Sequence, residues 1–260
     1  MSWEADVSVT RFGRIETPAG AKYVEVQEPR VHVLSDAPWA KPHRTGEVYE
    51  LSEVTWAVPS AASKVVAIGQ NYRKHAEEMG KPVPVEPLIF MKPMTALNAH
   101  GAPILMPPAS NDVQHEAELA LVIGRKLTRA TEAEAADAIF AVTCFNDVTA
   151  RDIQKREVQH TRAKSYDTFA CCGPFMVRGL DFSDLQVTCR LNGEQKQSGR
   201  TSDMVHSPAK LVAFISNVMT LLPGDIISTG TPSGVGPMKD GDVVEVEIEG
   251  IGVLRNPVKR

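Results

Sequence analysis

No apolar stretch of the chain approaches the roughly 20 residues that a membrane-spanning helix requires. The opening run, MSWEADVSVTRFGR, lacks a basic segment followed by an apolar one, so no secretory signal is expected. Basic charge is not in excess: the formal net charge is −4, which argues against nucleic acid or an anionic membrane as a partner. Cysteine is scarce, limited to Cys144, Cys171, Cys172 and Cys189. Their spacing fits no zinc site, and the adjacent Cys171 and Cys172 are poorly placed to bridge each other. Reduced thiols in a cytoplasmic protein are therefore expected. The stretch STGTPSGVGP, 228–237, has no lysine and opens no obvious helix, which excludes a nucleotide-binding P-loop. Its hydroxyls and backbone N–H groups remain suited to holding a carboxylate. There is no internal repeat and no low-complexity tract.

What is present is an ordinary globular composition, 43% hydrophobic over 260 residues, enough for a sizeable core. Residues 1–60 carry short β-like runs (VSVTRF, AKYVEVQ, RVHVLS, GEVYEL) punctuated by Gly and Pro. They predict a small β-rich N-terminal unit, joined through VPSAASK to a main body over 61–260. There KVVAIGQNY reads as a buried strand, RKHAEEMG as a short helix stopped by Gly80, and PLIFMKP and PILM as brief strands. TEAEAADAIFAV predicts a helix opened by a Thr131–Glu134 capping box. Asn192-Gly193 between extended runs predicts a hairpin. SPAKLVAFISNVMTLLPG predicts a helix capped by Ser207, with Pro208 in its first turn and an apolar stripe of Leu211, Phe214, Ile215 and Val218. In GDVVEVEIEG, valine and isoleucine alternate with glutamate, the pattern of a half-solvated strand. The sum is an α+β or mixed β fold.

The segment VQHEAELALVIGRK, 113–126, starts with two acids and continues as an apolar strand. Glu116 and Glu118, two apart in a strand, point to one face, followed there by Ala120 and Val122. Ala117, Leu119, Leu121 and Ile123 form the other face, so the strand is expected to be buried on both sides. Two like charges close together in a low dielectric repel, and one is driven to protonate. A hard divalent cation such as Mg²⁺ removes that cost and prefers carboxylate oxygens. Asp147, at the end of the apolar VTCFND, is a third acid at a strand end; alone it reads as equally a turn or cap residue. His75 and Glu78 are three apart, on one helical face. A carboxylate on one imidazole nitrogen leaves the other free to take a proton, although a solvated surface pair has the same spacing. Glu77 faces elsewhere. Lys92 in FMKPM and Lys164 in TRAKSYDTFACCGP stand in apolar or turn-rich settings, unusual for lysine.

Together these stretches resemble the fumarylacetoacetate hydrolase family. The matching runs are GQNYRKHAEEMG, FMKP, HEAELALVIGR, NDVTARDIQ, AKSYDTFACCGP and GDIISTGTPSGVG, in the family's order over residues 64 to 257. The resemblance implies a distorted mixed β-roll, usually a homodimer, with a divalent metal, commonly Mg²⁺ and sometimes Mn²⁺ or Ca²⁺. It carries the metal ligands onto Glu116, Glu118 and Asp147 and a His–Glu dyad onto His75 and Glu78. It carries an active-site lysine onto Lys164 and substrate contacts onto Arg151, Gln154 and Thr231. It implies a small 2-oxo acid substrate whose enolate is stabilised by the metal and Lys164. Because both members of the dyad are present, hydrolysis of an acylpyruvate C–C bond is the first expectation. Decarboxylation of oxaloacetate, isomerisation of a hydroxy-diene diacid in aromatic catabolism, and a catalytically silent metal-binding protein are the alternatives.

Overall fold

A computed structural model describes residues 9–260; most of the opening run, and the first two residues of VSVTRF, lie outside the described residues. The N-terminal runs become β1 (Thr10–Ile15), β2 (Lys22–Gln27), β3 (Arg30–Leu34) and β4 (Arg44–Glu50), each antiparallel to the next. A short β5 (Trp56–Ala57) adds to β1. Ile15, Val24, Val31 and Val33 bury a small core of their own, flanked by Tyr49 and Trp56. Gly13 makes room for that tryptophan, since a Cβ there would lie 2.5 Å from its ring.

The main body continues with β6 (Val65–Gly69), α1 (Arg73–Glu78), β7 (Leu88–Lys92), β8 (Leu97–Asn98) and β9 (Ile104–Leu105). Next come β10 (Val113–His115), β11 (Ala117–Ile123), α2 (Glu132–Ala138), β12 (Ile139–Asp147) and β13 (Thr149–Ala150). Helices α3 (Arg151–Arg156) and α4 (Thr161–Lys164) lead to β14 (Ala170–Arg178). The hairpin strands β15 (Gln186–Leu191) and β16 (Glu194–Arg200) precede α5 (Pro208–Val218) and β17 (Ile226–Ser228). The chain closes with β18 (Gly236–Pro237), β19 (Val243–Ile248) and β20 (Gly252–Lys259).

One mixed sheet of 12 strands runs in the order β4-β3-β2-β1-β14-β12-β11-β17-β6-β7, with β5 and β8 alongside. The N-terminal unit joins it where β1 pairs with β14. A five-stranded sheet, β16-β15-β19-β20-β9, and the small β13-β10-β18 sheet complete the roll. Every residue of β11 is buried. Leu119, Leu121 and Ile123 enter the largest core cluster, while Ala120 and Val122 on the other face enter two different ones. The alternation read from the sequence thus sorts the strand's two faces between separate cores.

Three local details refine the sequence reading. Both capping-box bonds of Thr131 and Glu134 form, but α2 ends at Ala138. The following Ile-Phe-Ala-Val opens β12 instead, where it gains ladders to both β11 and β14. Paired β-branched and aromatic residues are better placed there than in another helical turn. In α5, Ser207 caps as expected, yet the buried residues centre on Leu211, Val212 and Ile215. Phe214 is only half-buried and Val218 is exposed, because the helix presses on the body with a face turned from the predicted stripe. The Asn192-Gly193 turn has both residues at positive φ, as a tight hairpin of this hand demands. Among the described residues, no helix is long and apolar enough to cross a membrane.

Candidate active site

The roll delivers acids from neighbouring strands to one point. Glu116 occupies the break between β10 and β11, where Asn146 Oδ1 accepts its backbone N–H at 2.9 Å and its own carbonyl accepts from Asp147 N at 2.9 Å. Those two bonds lock Glu116 against the end of β12, so that Glu116, Glu118 and Asp147 converge. One carboxylate oxygen from each lies within 4.8 Å of the others, and all three residues are buried.

Three cations share this floor. Lys164 Nζ donates to Glu116 Oε2 at 2.7 Å and to Asp147 Oδ2 at 2.6 Å. Arg151 Nη2 donates to the other oxygen of Glu116. Lys92 Nζ donates to the other oxygen of Asp147 and to the Val148 carbonyl at 3.3 Å. Among the described residues, Glu118 has no cation bonded to it. Its Oε2 accepts from Ser228 Oγ and from Gly230 N at 2.8 Å.

The two glutamates therefore titrate in opposite directions from the same strand face. Burial opposes ionisation of Glu116, but Lys164, then Arg151, outweigh it and hold the carboxyl well below its usual range. Burial raises Glu118, and the negative charges of Asp147 and Glu116 add to it, keeping its pKa well above the usual range. Burial likewise lowers the pKa of Lys92 against the pull of Asp147, whereas Lys164, facing two acids, is raised despite burial. The floor thus lacks positive charge at Glu118. A buried, hard-oxygen cluster with one uncompensated carboxylate fits a divalent cation.

The dyad forms as well. His75 is 5% exposed, and its Nδ1 lies 3.1 Å from Glu78 Oε2. Glu78 Oε1 accepts from Gly234 N at 2.9 Å, tying α1 to the Gly-rich loop after β17. His75, Glu116, Glu118, Arg151, Gln154, Lys164 and Thr231 line one cavity; Asp147 lies beneath it, bonded to Lys164, and Glu78 stands behind His75.

The guanidinium of Arg151 binds Gln114 through Nε at 2.9 Å, and it also bonds Gln154 and Glu116, so three of its five N–H donors are engaged. Thr231 Oγ1 donates to the Ala117 carbonyl at 2.8 Å and accepts from Gln197 Nε2 at 2.7 Å. Its hydroxyl hydrogen is thereby committed.

Several residues here escaped the sequence reading. Lys92 reads from the sequence only as a lysine in an apolar strand; it lies against Asp147, 1% exposed. Gln197 is 1% exposed, and its Oε1 accepts from Ala117 N at 3.0 Å and meets His115 Nδ1 at 2.9 Å. Its Nε2 also donates to the Pro232 carbonyl at 2.8 Å. One amide thus fixes β11 and the Thr231 loop together. Nothing in EQKQSG marks this glutamine, because its partners come from 34 and 80 residues away. All four cysteines are buried free thiols. Cys171, beside β12, is pushed up to about 12 by burial, so it is no nucleophile at neutral pH.

A mixed β-roll with a buried triad of acids, a lysine across two of them and a His–Glu pair above is the architecture of a fumarylacetoacetate hydrolase-type enzyme. The chain belongs to the fumarylacetoacetate hydrolase family: residues 64–259 match the model of the fumarylacetoacetate hydrolase C-terminal domain. Residues 10–59 match an Rv2993c-like N-terminal model. The fold is similar to a crystal structure of 5-carboxymethyl-2-hydroxymuconate delta-isomerase from Mycobacterium smegmatis, at 44% identity and TM-score 0.90, covering 96% of this chain and 99% of that one. The oxaloacetate tautomerase YisK of Bacillus subtilis is 38% identical over 87% of this chain and 81% of its own. A structure of fumarylpyruvate hydrolase from Pseudomonas aeruginosa with Mn²⁺ and pyruvate is 28% identical at TM-score 0.73, covering 79% of this chain and 91% of that one.

Proposed function

We propose that this protein is a divalent-metal-dependent enzyme that interconverts the keto and enol forms of a small 2-oxo acid, with oxaloacetate as the leading substrate. The observation that carries the reading is the uncompensated Glu118 beside Glu116 and Asp147. These three residues would hold the ion, Mg²⁺ before Mn²⁺ or Ca²⁺. Bound there, such an ion supplies Lewis acidity toward the keto oxygen of a 2-oxo acid.

The chain's own groups account for the rest. With Nδ1 against Glu78, His75 presents Nε2 as the base that takes the proton from the carbon next to the ketone and delivers it to the enolate oxygen, and in ketonisation carries it back to carbon. Lys164 keeps its proton because two acids face it, and its charge lies where negative charge develops on the enolate. Arg151, with two N–H donors still unengaged, and Gln154 orient the substrate carboxylate. The relatives named for tautomerase and isomerase activity support this outcome of the shared enolate.

A second reading is acylpyruvate hydrolysis, favoured by the same dyad. There His75 would take a proton from water rather than from carbon, and the fumarylpyruvate hydrolase relative supports it. One experiment separates them: follow enol absorbance of oxaloacetate and of acetylpyruvate with Mg²⁺, for wild type and His75→Ala. Fast, His75-dependent ketonisation of oxaloacetate with slow acetylpyruvate cleavage is expected. Preferential, His75-dependent cleavage of acetylpyruvate moves hydrolysis to first place. If neither substrate turns over and Mg²⁺ only raises the melting temperature, the protein is a silent metal binder and the proposal fails.

A further inference from the structure

The cavity has two zones that differ in how their polar groups are occupied. On the floor, the cations Arg151 and Lys164 are spent on Glu116 and Asp147. At the outer wall stand Lys81 and His160, which line the same cavity. Neither side chain makes a hydrogen bond or ion pair among the described residues. Lys81 is exposed, but its backbone N–H donates to the Ala76 carbonyl at 2.9 Å, which anchors it to the end of α1. His160 heads α4, where its carbonyl accepts from Lys164 N at 3.1 Å.

Phe90 on β7 divides the zones. Lys164 Nζ lies over its ring, 5.2 Å from the centroid. The imidazole of His160 meets the same ring in a T-shaped contact, also with centroids 5.2 Å apart. One aromatic side chain thus separates the inner ammonium from the outer imidazole. Burial, then Lys164 and Lys81, lower the pKa of His160 against the pull of Asp147 and Glu116. With Glu118 ionised, as metal binding would require, the floor holds three acids against three cations. A bound divalent ion and Lys81 leave the cavity strongly positive, so a second negative charge on the ligand is favoured over one.

We propose that Lys81 and His160 form a seat for the distal carboxylate of a 2-oxo dicarboxylate, and so set the preference for diacids over mono-acids. The proposal rests on the 2-oxo acid reading of the floor. Lys81 supplies the ammonium and His160 an imidazole N–H donor, while the 2-oxo carboxylate end stays on the floor side of Phe90. A charge-assisted hydrogen bond of this kind is worth roughly ten- to a hundredfold in affinity.

The test uses two unreactive probes in the presence of Mg²⁺: oxamate, which carries only the 2-oxo acid head, and N-oxalylglycine, which adds a second carboxylate. Calorimetry on wild type is expected to show N-oxalylglycine bound at least tenfold tighter. Lys81→Met and His160→Leu are each expected to remove most of that advantage while oxamate affinity stays within about twofold; Lys81→Glu should abolish it. Lys81 is exposed, so its variants test the seat even if His160→Leu folds poorly. Oxamate binding with no preference for N-oxalylglycine, or an unchanged preference in both Lys81 variants, overturns the seat alone. Failure of oxamate to bind wild type overturns the 2-oxo acid reading and the seat with it.

Discussion

The floor of the cavity and its outer wall hold charge in different ways. The floor's acids stand at the meeting of β11 and β12, inside the central sheet; all are buried, and Glu116 and Asp147 are bonded to buried cations. The wall is built on short helices and loops, and its Lys81 and His160 line the cavity without a hydrogen-bond or ion-pair partner among the described residues. Strand ladders bring one oxygen of each acid within 4.8 Å of the others before any ligand arrives, the preorganisation that electrostatic catalysis needs. The wall can vary without breaking a ladder, so it is the natural place for substrate preference. Substitutions should therefore divide: floor changes strike stability and chemistry together, wall changes strike selectivity alone.

Lys164→Met should show the largest effect. It strips the bridging cation from Glu116 and Asp147, leaving two buried carboxylates closer to repulsion. Breaking a buried pair in this way costs about 3–5 kcal/mol, and removal of charge at a developing enolate costs a further factor of about a hundred or more in kcat. Thermal melting and enol-decay rates report the two losses. A variant that melts like wild type and turns over at a comparable rate would mean that the floor is not a coupled cluster.

Glu118→Gln sharpens the comparison within the floor, because the effect on stability should have the opposite sign. Glu118 has a raised pKa in the folded state. Its favourable contribution is present while the carboxyl is protonated and is lost as pH rises through that elevated value. Without metal, the variant should therefore melt a few degrees above wild type, by about 1 kcal/mol, with the gap widening as pH rises above the ordinary carboxylate range. With Mg²⁺ the order should reverse, since the wild type gains binding energy that the variant lacks. Glu116→Gln should also weaken Mg²⁺ binding, by at least about tenfold, but destabilise the metal-free protein, because Arg151 and Lys164 lose their acid. Equal melting curves for the two variants would remove the asymmetry on which the metal reading stands.

The β-runs, the capping box, the hairpin and the acidic pair were legible because each is local: alternation, a three-residue cap, a two-residue turn. The convergence of Glu116 with Asp147 was visible only through the order of short motifs, since spacing along the chain says nothing of which strands become neighbours. Gln197 was invisible for that reason, as were Lys81 and His160, which share a cavity although they lie far apart in sequence. The sequence pattern overruns the end of α2 because the helical periodicity of TEAEAADAIFAV continues past Ala138, and only the two ladders of β12 override it.

Gln197 joins floor and wall, so its effect should be intermediate. Gln197→Leu leaves Ala117 N, Thr231 Oγ1 and the Pro232 carbonyl without this partner in a buried setting. Destabilisation of about 2–3 kcal/mol is expected, with a severalfold rise in KM as the Thr231 loop loosens and little change in kcat. Urea melts and steady-state kinetics measure both. A fall in kcat at constant KM would place Gln197 among the groups acting on the reacting atoms.

Replacing Cys171 and Cys172 together by alanine should have the smallest effect on chemistry. Both thiols are fully buried on β14, opposite Asn146 and Phe145 of β12, and burial raises the pKa of both. Neither of them lines the cavity. Losing two sulfur atoms from a close-packed core costs about 1–2 kcal/mol, and Asp147 is held by its own bonds to Lys92, Lys164 and the Glu116 carbonyl. The double variant should melt a few degrees lower and retain wild-type turnover at 25 °C. A folded variant with no turnover would show that a thiol takes part in the reaction, and the division between a structural underside and a chemical floor would fall with it.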